Sequence, residues 1–242
     1  MKVKYIILGA LIFFAAAYFL SAGNKFSHNP SLKTLPQKTS QKGATSLEGD
    51  QYTVNIEEYT ADLVKLDEVD DSFVYDLKYA STDNFTGKKI YSHAICLIHR
   101  ETARKLMAAN KEFKQLGYRI KIYDAYRPYS AQRVLYNAAE NKTFLADPER
   151  GSNHNRGAAV DITLVDDKGN ELPMPSNFDE FSIKSRINYY NTTKELINNR
   201  ELLGRVMVKN GFKRIGNEWW HFEDAEAKKY PLLDIPFEAY IN

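Results

Sequence analysis

The chain has 242 residues, enough for one well-packed domain with a tail but short for two. Hydrophobic residues make up 43% and charged residues 26%, which is ordinary for a folded globular protein. The net charge of +2 argues against the concentrated basic surface that phosphate binding needs, so we expect no nucleic-acid partner. The single cysteine, Cys96, excludes an internal disulfide and a cysteine-based zinc cluster, and its apolar neighbours predict an inert core position.

Residues 1–23 have the pattern of a secretory signal. Lys2 and Lys4 precede an apolar run over residues 5–20, and small residues follow at 21–23. The run is slightly long for a cleaved signal and slightly short for a membrane-spanning helix of about 20 residues. Cleavage and retention as an N-terminal membrane anchor are therefore both open. Either outcome predicts an exported domain in the periplasm or another extracytoplasmic space.

Residues 24–50 differ in composition from the rest of the chain. They are rich in Ser, Thr, Lys, Gln and Pro, and they contain few large apolar residues. Such a segment cannot bury enough surface to offset the entropy lost on ordering, so it is predicted to be a flexible linker. The folded domain is then predicted over residues 51–242.

The predicted elements mix strands and helices without regular βαβ alternation. This favours a single α+β domain with a mainly antiparallel sheet flanked by helices. Hydrophobic periodicity and capping residues predict, in chain order, a strand at 73–79, a loop at 83–87, a helix at about 99–116, a strand at 118–123, a helix at about 130–139 capped by Ser130, a polar turn at 153–157, a strand at 158–165, a helix at about 192–209, and a β-hairpin at 212–223 that turns at Gly216-Asn217.

Two histidines and one aspartate have the composition of a catalytic zinc site. His154 lies in the polar turn, Asp161 in the apolar strand that follows, and His221 in the last predicted strand. Two imidazoles, one carboxylate and an open fourth position form a common catalytic zinc arrangement. A buried carboxylate needs a partner, and a metal ion would provide one. A nearby cation such as Arg156 would do so equally, which would make Asp161 structural.

Glu218 and Arg127 are candidates for the catalytic groups. Glu218 follows the predicted hairpin turn, where its side chain is free to approach His221 and handle the proton of a metal-bound water. The alternative is a solvated hairpin charge. Arg127 precedes a proline, which fixes it in an extended conformation where its guanidinium suits an oxyanion or a carboxylate. The alternative is an ion pair with Asp124.

Together these residues resemble a known family, the D-alanyl-D-alanine dipeptidases of the vancomycin-resistance type within the zinc D,D-peptidases (peptidase family M15). The resemblance rests on three motifs: Ser152-x-His154-x-x-Gly157-x-Ala159-x-Asp161, Glu218-Trp-Trp-His221 and Tyr126-Arg127-Pro128. The segments 76–80 and 83–87 are similar to the dipeptidase branch in particular, and the likeness extends from about Val69 to Glu223.

The resemblance implies a zinc metallopeptidase that hydrolyses D-alanyl-D-alanine or a similar small D,D-dipeptide. The predicted export favours a role in cell-wall peptide turnover or scavenging. The resemblance also implies one Zn²⁺ per chain at the sheet, bound by His154, Asp161 and His221. It further implies that Glu218 is the general base and acid, that Arg127 stabilises the tetrahedral intermediate, that Tyr79 and Ser152 lie near the substrate, and that Asp179 receives the dipeptide's ammonium group. The chain departs from the family's Met-Gly-Thr sequence before this aspartate, because it has Met174-Pro-Ser-Asn.

Three other functions fit part of the pattern. A zinc D,D-carboxypeptidase that trims the terminal D-Ala of peptidoglycan stem peptides would share the metal site. A non-haem iron oxygenase also uses two histidines and a carboxylate, but it leaves Glu218 and Arg127 without roles. A zinc-holding wall-binding module without turnover would not need these two residues. The sequence favours the peptidase.

Overall fold

A five-stranded sheet lies at the centre of the fold, which the computed structural model describes for residues 62–241. The predicted signal or anchor segment and the linker lie outside the described residues, as do residues 51–61. The strand order is β2-β4-β5-β7-β6, and every neighbouring pair is antiparallel except β2 and β4. The strands are β2 (Val74–Tyr75), β4 (Arg119–Asp124), β5 (Ala159–Val165), β6 (Phe212–Arg214) and β7 (His221–Asp224).

A separate antiparallel ribbon pairs β1 (Leu63–Lys65) with β3 (Leu97–His99). Four α-helices occur in the described part of the chain, which confirms the α+β class with a mainly antiparallel sheet. They are α1 (Leu66–Val69), α2 (Arg100–Gln115), α3 (Tyr129–Ala138) and α4 (Lys194–Lys209). Along residues 62–241, none of the helices combines the length and apolar character needed to span a membrane.

Two hydrophobic clusters stabilise the domain. The larger cluster joins the long helices α2 and α4 to the sheet, where Val160, Ile162 and Leu164 of β5 face them. The smaller cluster joins the β1-β3 ribbon, α3 and the C-terminal segment. Because the helices cover one sheet face, the opposite face of β5, with Asp161 and Thr163, is available for a site. Both faces of β5 are nevertheless buried, as expected for a central strand.

Three local predictions were wrong. The strand predicted at 73–79 is shorter, because only Val74–Tyr75 pairs with β4 before the chain turns into a 3-10 helix at Lys78–Ala80. Ser130 does not cap α3 with its own side chain. Instead, the Asp234 carboxylate accepts hydrogen bonds from the Ser130 backbone N–H and hydroxyl, both at 2.9 Å.

The predicted hairpin lacks the tight turn at Gly216-Asn217. A longer loop connects β6 to β7, and its backbone bonds to a distant segment: Ile187 N–H donates to Gly216 O at 3.2 Å and Trp219 N–H donates to Ser185 O at 2.8 Å. This loop buries Trp219 and Trp220 in the larger cluster. Their burial outweighs the local preference of Gly216-Asn217 for a tight turn.

Candidate active site

Three neighbouring strands place acidic and imidazole side chains side by side. Asp161 on β5 lies directly opposite His221 on β7 and, on its other side, opposite Asp124 at the end of β4. The register shifts between Ile122 and Asp124, so a β-bulge aims this last residue toward the site. All three side chains are buried.

His154 reaches the same point from the 3-10 turn His154–Arg156 that precedes β5. The turn ends at Gly157, which has a left-handed φ of 62°. A Cβ atom at this position would lie 2.7 Å from the backbone nitrogen of His99, so only glycine fits where the turn packs against β3. The turn is fixed further by Arg127, whose backbone N–H donates to His154 O at 3.1 Å.

The donor atoms of His154, Asp161 and His221 all lie within 4.8 Å of one another. His154 Nε2 lies 3.2 Å from His221 Nδ1, and the Asp161 carboxylate lies 3.4 Å and 2.9 Å from these two nitrogens. The other ring nitrogens are held from outside, since His154 Nδ1 lies 2.7 Å from Ala125 O and His221 Nε2 lies 3.3 Å from Glu223 Oε1. These two hydrogen bonds leave the lone pairs of His154 Nε2 and His221 Nδ1 directed at the Asp161 carboxylate and at each other. This arrangement fits a divalent metal ion such as zinc.

Asp161 is suited to be the anionic ligand. Burial alone would favour its neutral form, but the charges and hydrogen bonds of His154 and His221 outweigh burial and hold the pKa of Asp161 below its usual range. Arg156, the alternative cation for Asp161, points elsewhere, because its guanidinium donates to Tyr230 O. The Arg127 guanidinium also lies near Asp161, with Nη2 3.9 Å from Oδ2.

Glu218 lies in the loop before β7, with Oε2 at 3.8 Å from His221 Nδ1. It is not a solvated hairpin charge, because only 8% of the residue is exposed. Burial raises the pKa of Glu218 to about 7, with a further increase from the Asp161 carboxylate that His221 and Arg127 partly offset. A carboxyl group with such a pKa, beside the candidate metal ligands, can both accept and donate a proton near neutral pH.

Arg127 is buried and rigidly held. Its Nε and Nη2 donate to Asp124 Oδ2 at 3.1 and 2.6 Å, and its Nη1 donates to Gln132 Oε1 at 2.7 Å. The ion pair with Asp124 therefore exists, but it does not remove Arg127 from the site, because Arg127 lines the same small cavity as the metal-ligand candidates. The Asp124 carboxylate also accepts a hydrogen bond from Tyr91 at 2.7 Å.

The predicted substrate residues line this cavity of about 160 Å³. Tyr79 is buried and donates its hydroxyl hydrogen to Asp179 Oδ2 at 2.9 Å. Ser152 Oγ accepts from the backbone N–H of His154 at 3.2 Å. Burial, followed by the Asp161 charge, raises the pKa of Asp179 well above its usual value. The cavity thus holds a carboxyl group that a cation would stabilise.

Three residues at the site were not predicted: Gln132, Glu223 and Tyr91. Asp124, which the sequence suggested only as an alternative partner for Arg127, holds the Arg127 guanidinium together with Gln132. Glu223 hydrogen-bonds to His221, and Tyr91 hydrogen-bonds to Asp124. The period of two along β7 places Glu223 on the face of His221, so this signal was available in the sequence. No comparable signal exists for Tyr91, because it meets Asp124 only through the tertiary fold.

The geometry defines a metallohydrolase-type site, and sequence comparison gives the family. Residues 59–240 match peptidase family M15, described as D-ala-D-ala dipeptidase. The chain is 40% identical over 183 residues to the D-alanyl-D-alanine dipeptidase of Escherichia coli, covering 76% of this chain and 95% of that protein. It is 32% identical over 203 residues to the D-alanyl-D-alanine dipeptidase of Enterococcus faecalis, covering 73% and 95%. The chain therefore belongs to the M15 D-Ala-D-Ala dipeptidase family.

Among solved structures, the chain is similar to the vancomycin resistance D,D-pentapeptidase VanY in complex with Zn(II), with 19% sequence identity and a TM-score of 0.36. This likeness covers 63% of the present chain and 87% of the other.

Proposed function

We propose that this protein is a zinc-dependent D,D-dipeptidase that hydrolyses D-alanyl-D-alanine or a similar small D,D-dipeptide. The observation that carries the proposal is the convergence of His154, Asp161 and His221, with Glu218 beside them, in a chain of this family. His154 Nε2, His221 Nδ1 and an Asp161 oxygen would hold one Zn²⁺ per chain. Bound zinc lowers the pKa of a coordinated water and polarises the scissile carbonyl.

The side chains of this protein supply the remaining steps. The Glu218 carboxylate accepts a proton from the attacking water and then donates it to the leaving amine, which its pKa of about 7 permits. The Arg127 guanidinium, held by Asp124 and Gln132, stabilises the negative charge that develops on the carbonyl oxygen. Because these contacts already hold the guanidinium in place, it needs little reorientation as the charge develops.

A dipeptide fits the site better than a longer peptide does. The cavity of about 160 Å³ is small compared with the roughly 300–1,000 Å³ typical of drug-sized ligand sites. Asp179, half-buried with Tyr79 as its hydrogen-bond partner, is placed to pair with the free ammonium group of a dipeptide. An N-acylated peptide has no such charge, so it would leave the Asp179 carboxyl group without its ionic partner.

The test compares D-Ala-D-Ala with N-acetyl-D-Ala-D-Ala and with a wall pentapeptide, using zinc-loaded protein. We expect rapid hydrolysis of the free dipeptide and little or no hydrolysis of the other two. Comparable rates on all three substrates would instead identify a D,D-carboxypeptidase. Failure to hydrolyse any of them would reject the proposed function.

The N-terminal sequence supports an extracytoplasmic location, with residues 1–23 as a signal peptide or as a membrane anchor through residues 5–20. We propose that the enzyme acts in the periplasm or a comparable space, in peptidoglycan turnover, at the end of a linker over residues 24–50. A fusion of residues 1–50 to a reporter that is active only in the cytoplasm should give no signal. Strong reporter activity would refute export.

A further inference from the structure

A second, larger cavity lies next to the metal-site cavity. Its volume is about 710 Å³, and its lining includes Thr163, two residues beyond Asp161 on the same face of β5. The two cavities have one lining residue in common, Asp179. The larger space therefore begins at the residue that we assign to the ammonium group of the substrate. A peptide extended at its amino end would be directed toward this space.

The ring of Phe178 lines the larger cavity and contacts side chains that line the smaller one. Its centroid lies 4.7 Å from that of Tyr123, which lines the larger cavity. It lies 6.3 Å from the ring of Tyr79 and 5.4 Å from that of Trp220, which both line the smaller cavity. Phe178 also packs against both hydrophobic clusters of the domain. Phe178 therefore lies between residues that line the larger cavity and residues that line the smaller one.

The segment that carries Phe178 is fixed at both ends. Ser176 Oγ accepts a hydrogen bond from Trp219 Nε1 at 2.9 Å, and the carbonyl of Glu180 accepts one from Ser185 Oγ at 2.7 Å. Between these anchors, Asp179 has a φ of 56°, the only positive φ of a non-glycine residue in the described part of the chain. A conformation of this kind persists only where surrounding contacts hold it, and it is typical of functional sites.

We propose that Phe178 is a specificity-determining residue that limits the substrate to a dipeptide by closing the metal-site cavity against the larger one. This inference rests on the proposed function. The amide N–H of an acylated substrate can still donate to Asp179, but its acyl group needs space that the Phe178 ring occupies. Removing the ring should connect the cavities and admit the acyl group to the larger one.

The test measures kcat/KM for N-acetyl-D-Ala-D-Ala relative to that for D-Ala-D-Ala in wild type, Phe178→Ala and Leu172→Ala. Hydrolysis of the acetylated substrate adds water across its peptide bond and releases N-acetyl-D-alanine and D-alanine. We expect the ratio to rise at least about tenfold in Phe178→Ala, in line with the discrimination that a pocket wall provides. Leu172→Ala is the matched control, because Leu172, like Phe178, lines the larger cavity, but its removal leaves in place the Phe178 ring that contacts Tyr79 and Trp220. Its ratio should equal that of wild type.

Phe178→Val serves if Phe178→Ala does not fold, and its ratio should rise by a smaller factor. An unchanged ratio in a folded Phe178 variant that hydrolyses D-Ala-D-Ala would overturn the inference. An equal rise in Leu172→Ala would also overturn it, since loosening of the larger cavity alone would then suffice. Failure of the proposed function is distinguishable, because wild type would then not hydrolyse D-Ala-D-Ala at all.

Discussion

Glu218 is the residue at which proton transfer can be separated from metal binding. Its carboxylate lies 3.8 Å from His221 Nδ1, outside the group of three converging ligand atoms. We expect Glu218→Gln to lower kcat by about 10²–10⁴-fold, because glutamine keeps the shape but cannot transfer the proton. Zinc content and the free energy of unfolding should stay near wild type, and elemental analysis and urea denaturation check both. Loss of zinc together with activity would instead make Glu218 a ligand.

Glu223 supports the metal site through a hydrogen bond to His221. Its carboxylate lies 3.3 Å from His221 Nε2, and this hydrogen bond lowers the pKa of Glu223 to about 2. We expect Glu223→Ala to weaken zinc binding by about 10–100-fold, the usual effect of losing an outer-shell partner. Competition with a chelator measures the affinity. Glu226→Ala, which removes an exposed acid nearby, is the control and should bind zinc like wild type.

Glu218 and Gln132 show how far sequence reasoning extends at the residue scale. Glu218 was predictable because it precedes His221 by three positions in a motif, although the structure places it in a loop and not at a hairpin turn. The support of Arg127 by Gln132 was not predictable. That contact requires α3 to follow β4 at one particular angle, which packing against the smaller hydrophobic cluster determines.

At the scale of elements, predictions from periodicity succeeded where burial and local pattern agree. β5 and α2 are of this kind, since α2 buries Leu106 and Phe113 on one face and is followed by Gly117 in a left-handed conformation. Predictions failed where a residue distant in sequence makes the contact that a neighbouring residue was predicted to make. The N-terminus of α3 is the clearest case, because Asp234, and not Ser130, satisfies its backbone.

The cap of α3 gives a stability prediction. Asp234→Ala removes the acceptor for both the Ser130 N–H and the Ser130 hydroxyl, so the free energy of unfolding should fall by about 1 kcal/mol. Ser130→Ala should cost less, because the backbone bond to Asp234 remains. Urea denaturation of both variants measures the difference. A larger loss in Ser130→Ala would show that the serine side chain is the true cap.

At the scale of the whole molecule, the metal site joins parts of the chain that are far apart in sequence. The turn with His154, the strand with Asp161 and the last strand with His221 meet only in the folded sheet. The backbone of the His154 turn is also tied to the C-terminal segment, since Leu233 N–H donates to Asn155 O at 2.8 Å. An unfolded chain cannot assemble this ligand set, so metal binding should stabilise the folded state selectively.

Removal of the metal should therefore lower the melting temperature. At a zinc concentration about 100 times Kd, binding contributes about 2.7 kcal/mol to the stability of the folded state. For a domain of this size, the loss of this contribution should lower Tm by roughly 5–10 °C. Calorimetry with and without EDTA measures the change. His154→Ala is the control, because a protein that cannot hold zinc should melt at the same temperature in both conditions. An equal shift in this variant would place the bound metal elsewhere, and no shift in wild type would mean that the three ligands do not bind zinc in the folded protein.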